Sequence, residues 1–300
     1  MSSLLLLAVC LGLGVIVART AKPSPVLAQS LNWWVLNVAL SGLVLHLIPK
    51  LELDGRLWFL VASMWFVFVG AWLFSALLGR ALGWSRERMG ALTLVSGLGN
   101  TSFIGFPLIE ALRGQEGVRL ALVADQAGCF IALAVGGTIA AAVYSGGRVT
   151  APSIARKVAF FPPFLSLIGG ALVGAFGGWH PIVDEMLARI GATLTPLALF
   201  SVGLQLRLRF GRGQAPAVAA ALAWKLALAP AIVWAAGFAL SVGKPILTIA
   251  VLEAAMAPMI SAAILAQQHQ LEPTLATTVL GFGILFAFAT VPIANALLGP

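Results

Sequence analysis

Apolar residues in this chain come in long blocks, separated by short segments rich in Arg, Lys, Pro and Gly. A helix that crosses a bilayer needs about 20 mostly apolar residues. Reading the blocks between charged or Pro/Gly breaks gives ten runs, at 3–18, 30–48, 58–80, 89–111, 117–144, 160–178, 186–206, 215–240, 245–268 and 274–298. The pattern predicts an all-α polytopic membrane protein with ten transmembrane helices. The first run has the length of a signal peptide. It lacks a basic start, and no small-x-small cleavage site precedes Arg19, so it reads as a helix.

Composition strengthens this reading. Of 300 residues, 60% are hydrophobic and 9% charged, where soluble domains carry about 25% charged residues. Mean hydropathy is +1.02. So few charges cannot cover the surface of a soluble protein of this size. A disordered chain, a coiled coil and a secreted disulfide scaffold are excluded on the same ground.

The net charge of +8 does not point to nucleic acid, because the basic residues lie in the breaks, where they set topology. Odd-numbered connections hold Arg19, Lys22, Arg80, Arg86, Arg88, Arg148, Arg156, Lys157, Arg207, Arg209 and Arg212. The other side holds Lys50, Arg56, Arg113, Arg119, Arg189 and Lys244. The bias puts the odd connections in the cytoplasm and both termini outside, in a cytoplasmic (inner) membrane. Cys10 and Cys129 both lie inside apolar blocks. Neither a disulfide framework nor a metal site is expected, and no cofactor is implied beyond a coupling ion. The connections are short and no Walker motif occurs, which weighs against a receptor, a kinase-coupled sensor or an ATP-driven pump.

The chain repeats itself. Run 4 contains Gly97 to Pro107 (GLGNTSFIGFP), and run 9 contains Glu253 to Ser261 (EAAMAPMIS). Pro107 and Pro258 stand 151 positions apart, half the chain length, and runs 3 and 8 and runs 5 and 10 are displaced similarly. The basic connection 145–159 divides the halves, giving a first repeat at 1–144 and a second at 160–300. Five spans per half is an odd number, so the second half must enter the membrane inverted. Proline inside a helix removes a hydrogen bond and clashes with the preceding turn. Broken backbone at membrane depth is tolerated only where it is buried in protein or lines a wet cavity. The half-helix N-termini it creates attract anions. One such segment would be an ordinary proline kink. Two at matching places point to a transport site, with Gly99, Asn100, Thr101, Ser102, Pro107, Pro258, Met259 and Ser261 as candidate substrate contacts.

Ionisable residues inside spans are functional candidates by default. Glu253, at mid-depth in run 9, is a candidate proton or sodium carrier, or else the partner of Lys225. Lys225 in run 8 would hold a substrate carboxylate or neutralise Glu253 or Asp125; the pairing role is the favoured one. Asp125 and Gln126 in run 5 read either as coupling groups or as a helix–helix polar contact. His46 reads as interfacial, Glu110 and Arg113 as solvated, and Trp33, Trp34, Trp58 and Trp84 as interfacial anchors. Gly170 with Gly174, and Gly136 with Ala140, have the spacing of close helix packing.

At these residues the chain resembles the auxin efflux carrier family, the PIN-formed proteins and their bacterial relatives. The likeness rests on Gly99-Asn100-Thr101 through Gly105-Phe106-Pro107-Leu108, Asp125-Gln126, Leu194 to Gly203, Lys225 through Pro230, and Leu252 to Met256. It implies two inverted five-helix repeats with crossing interrupted helices 4 and 9. It also implies a scaffold of helices 1, 2, 6 and 7, a mobile transport domain of helices 3–5 and 8–10, and a homodimer. The implied function is secondary active transport of small organic anions by elevator-type alternating access, coupled to Na+ or H+, with no enzymatic activity. Ser41 stands where related sequences often carry Pro, Ser261 is the one polar side chain in the stretch 259–266 after Pro258, and the 145–159 connection is short. The likeness therefore reaches the transporter class rather than auxin itself. The alternatives are a sodium-coupled bile-acid-like symporter and a passive channel of the same fold.

Overall fold

The computed structural model describes residues 2–51, 55–147, 150–206, 208, 211 and 213–299. Among them it contains helices and turns but no strand. Arg148, Arg207, Arg209 and Arg212, used above to orient the chain, lie outside the described residues. Among the described residues six helices are long and apolar enough to cross a membrane: Val26–Lys50, Gly55–Ala81, Thr101–Ser145, Pro181–Gln205, Ala215–Ala239 and Pro273–Leu298. Leu5–Thr20 and Pro162–Ala175 are apolar but shorter.

Two of the predicted runs are interrupted. The helix Arg86–Gly97 stops and helical structure resumes at Thr101. Likewise Lys244–Ala254 stops and Ile260–Gln268 follows. The expected turn between runs 4 and 5 is a single residue inside Phe106–Val123. Gly114 there has φ 64° and ψ −167°, a conformation that only glycine adopts cheaply.

Starts are written into the sequence. Pro25, Pro162, Pro181 and Pro273 occupy first-turn positions, where the missing N–H would have had no partner. Ser24 caps Val26 at 3.4 Å and Ser85 caps Arg88 at 3.2 Å.

The chain forms two compact units. The first comprises Met1–Asp54, Ser102–Leu122 and Lys157–Leu206. In it the helices Ser2–Thr20 and Leu194–Gln205 touch backbone to backbone. A methyl group on Gly203 would sit 2.9 Å from Gly14 Cα and strike the Leu11 carbonyl. Gly174 abuts the Pro49 backbone in the same way, with Gly170 against Ile48, so this small-residue pair does make a close packing contact. Small residues allow such approach, and without a hydrophobic drive in lipid it is dispersion that holds the helices together. His46 is not merely interfacial: its Nδ1 lies 2.8 Å from Asp184 Oδ1, and Lys50 Nζ donates to Asp184 Oδ2 at 2.7 Å. Glu110 is exposed, as expected, and accepts from Gln115 at 2.8 Å. Trp33 and Trp34 are exposed, and Trp34 Nε1 donates to Thr193 at 3.1 Å.

The second unit comprises Gly55–Thr101, Val123–Arg156 and Arg207–Pro300. Its centre is built from the two half-helices. Every residue from Gly90 to Gly97 is buried, and so is every residue from Thr248 to Ala254. Segments buried on every face belong inside a bundle, and their polar members Thr93, Ser96, Thr248 and Glu253 are buried with the rest. Phe68 packs against both Gly97 and Gly136. At one end Arg88 Nε donates to Glu272 at 3.0 Å and Arg86 donates to the Val143 carbonyl at 2.7 Å.

Candidate functional site

The site assembles in the second unit, where the two helix interruptions meet. Leu98 leaves the helix with extended backbone, φ −110° and ψ 121°. Met259 is extended as well, φ −77° and ψ 134°. The two straight pieces lie antiparallel, with Gly99 opposite Pro258. The Asn100 N–H donates to the Ala257 carbonyl at 2.7 Å, and the Met259 N–H donates to the Leu98 carbonyl at 2.9 Å. Proline has no N–H to give, and here it needs none, because the flanking residues carry both bonds. Each break thereby satisfies polar backbone groups of the other, as a membrane interior demands.

Small residues make the crossing possible. A methyl group on Gly99 would lie 2.9 Å from Lys225 Nζ and 3.4 Å from the Glu253 carbonyl. A methyl group on Gly283 would strike the Pro258 ring.

Polar side chains gather around the crossing. Asn100, Thr101, Asp125, Gln126, Lys225 and Glu253 are each at most 2% exposed. The Thr101 hydroxyl donates to Asp125 Oδ1, and the Gln126 amide donates to Asp125 Oδ2. The Cys129 thiol donates to the Gly99 carbonyl at 3.3 Å. Both carboxylate oxygens of Glu253 are buried without a hydrogen-bond partner among the described residues, as is Gln126 Oε1. The favoured pairing of Lys225 with Glu253 therefore takes no hydrogen-bonded form. The ammonium lies instead against Gly99, and the two groups act on each other through the field. Asp125 also acts on Glu253 electrostatically.

Four of these groups sit on widened π-helical turns, Thr101 in Thr101–Gly105, Asp125 and Gln126 in Ala124–Cys129, and Lys225 in Trp224–Leu228. Such turns insert one residue into a helix and concentrate at functional sites. Nothing in residue spacing announces them. Sequence reasoning also missed the roles of Cys129 and Gly283; the Gly281-Phe282-Gly283 spacing in run 10 was the available signal for the latter.

The remaining candidates divide. Met259 and Ser261 are half-buried at the start of Ile260–Gln268, where first-turn N–H groups have no intrahelical partner. Ser102 and Pro107 are buried members of the first unit. Pro107 lines a cavity of about 410 Å³ there, with Leu43, His46, Glu110, Gln115 and Thr195 also on its wall. Among the described residues no three His, Cys, Asp or Glu side chains converge as a metal site requires.

Chemically, the crossing offers one cation, two carboxylates, the neutral side chains of Asn100, Thr101 and Gln126 and a helix N-terminus in a water-poor setting. It has the parts of a site that binds a small charged solute and exchanges a proton or ion.

Comparison with known proteins agrees with a transport role. The chain is similar to an uncharacterized transporter of the archaeon Methanothermobacter thermautotrophicus, 24% identical over 278 residues, which are 90% of this chain and 89% of the relative. It is also similar to an uncharacterized transporter of Methanocaldococcus jannaschii, 33% identical over 132 residues, or 42% of each chain. Residues 3–294 match the membrane transport protein family. The chain belongs to that family, the auxin-efflux-like group that its motifs resemble, and is a membrane-embedded, multi-pass transporter rather than an enzyme.

Proposed function

We propose that this transporter is a secondary carrier of small organic anions, with the substrate carboxylate held at the crossing by Asn100 and the N-terminal turn that Met259 and Ser261 open. The observation that carries the reading is the antiparallel meeting of the two helix interruptions beside buried Lys225. A helix N-terminus attracts negative charge, and an ammonium out of water needs an anionic neighbour. Glu253, buried without a hydrogen-bond partner, is the coupling group, since a carboxylate held out of water can take up and release a proton. Alternating access of the elevator type, as the family resemblance implies, carries the loaded crossing from one side of the membrane to the other. The ten-span inverted repeat is consistent with the two interruptions and their matching sequence positions.

Reconstitution into proteoliposomes tests the reading. A panel of labelled mono- and dicarboxylates is expected to include one taken up with saturation and counterflow, and Asn100→Ala is expected to lose that uptake roughly 10- to 100-fold. The range corresponds to one hydrogen bond to a charged group, about 1.5–3 kcal/mol. Normal transport by folded Asn100→Ala would remove the substrate from the crossing. Flux without counterflow or saturation would make the protein a channel.

A further inference from the structure

The connection between the halves is more than a tether. Residues 151–159 form a helix, Ala151–Ala159, whose two faces differ sharply. Ile154 and Val158, one turn apart, share an apolar face and are half-buried. Pro152, Ser153 and Arg156 are exposed on the other side. Phe160, next in the chain, is 73% exposed. The connection 145–159 carries Arg148, Arg156 and Lys157 and not one acidic residue. A short helix with an apolar stripe, an exposed arginine on the opposite face and an aromatic residue at its end is built to lie in the plane of a membrane surface. Basic clusters next to spans bind anionic headgroups, at about 1 kcal/mol for each Lys or Arg near the surface.

We propose that the helix Ala151–Ala159 is a binding element for anionic phospholipid, with Ile154, Val158 and Phe160 set among acyl chains and Arg156 on the headgroup phosphate. Charge complementarity selects lipid over a protein partner: the charge bias of the chain puts this connection on the cytoplasmic side, where acidic lipids face it.

The test is hydrogen–deuterium exchange on the full-length protein in nanodiscs of phosphatidylcholine, with and without phosphatidylglycerol. Amides of 151–159 are expected to exchange at least about fivefold more slowly in the anionic discs, which corresponds to a single cation's share. Arg156→Glu is expected to abolish that difference, Arg156→Lys to keep it, and Ile154→Asp to weaken it by removing the apolar anchor. Arg156 is exposed, so its variants should fold, and unchanged exchange across the other helices would verify this. Equal exchange of 151–159 in the two disc types would overturn the proposal, and so would an undiminished anionic effect in Arg156→Glu. Neither result depends on which solute is carried, so failure here leaves the transport reading intact.

Discussion

At position 253 a carboxylate lies wholly buried, with neither oxygen hydrogen-bonded among the described residues. Such a group costs several kcal/mol as an ion unless something balances it. Glu253→Gln keeps the shape and removes the titration. We expect the variant to fold normally and to carry substrate with no pH dependence, read as uptake across a pH series in proteoliposomes. A retained dependence would transfer coupling to Asp125. Gly283 tests the packing of the crossing rather than its chemistry. Gly283→Ala drives a methyl group into the Pro258 ring, and overpacking of this kind costs about 1–3 kcal/mol. A fall in thermal stability is expected, with uptake lost before the fold is. Residue identities at this scale were legible in the sequence, because a charged or amide side chain stands out in an apolar run. Their partners were not. The sequence leaves Lys225 to neutralise either Glu253 or Asp125, and only the structure places its ammonium beside Gly99. The π turns at 124–129 and 224–228 rotate every later side chain around the helix, which a strict 3.6-residue reading cannot foresee.

Helices and their interruptions were largely readable. Each predicted run overlaps helix, and the breaks fall near the Gly and Pro residues that announced them. What the sequence concealed is how the breaks end. Three residues of extended chain are too few to show alternation, so the antiparallel pairing of Gly99 with Pro258 leaves no periodic trace. Close helix contacts divide in the same way. Gly170 and Gly174 show themselves by their spacing, whereas Gly14 and Gly203 meet through one residue on each helix and carry no repeat. The latter contact is the tighter one, because a methyl group on Gly203 would collide with the Leu11 carbonyl outright, whereas one on Gly174 would lie 2.9 Å from the Pro49 backbone. Gly203→Ala is therefore expected to cost about 1–3 kcal/mol, measured by thermal unfolding in detergent. Substitution at Gly12, which has open space around it, is the control and should change little.

For the molecule as a whole, hydropathy dictated an all-helical membrane protein and the matching interruptions pointed to transport; family membership agrees with both. The division into two compact units was not visible in composition, because each unit draws on three separated stretches of chain. That same discontinuity sets a schedule for biogenesis. The segment 98–100 finds its hydrogen-bonding partner about 160 residues later in the chain. At 5–20 residues per second of synthesis, its donor and acceptor wait roughly 10–30 s. A polar backbone group left unpaired in hydrocarbon costs several kcal/mol. The early half must therefore shelter that segment in water or in the insertion machinery until its counterpart arrives. Residues 1–144 expressed alone should be short-lived, and co-expression of 160–300 should extend their lifetime in a pulse–chase experiment. A newborn copy of this transporter is thus most exposed to quality-control proteases in the interval before its ninth apolar run is made.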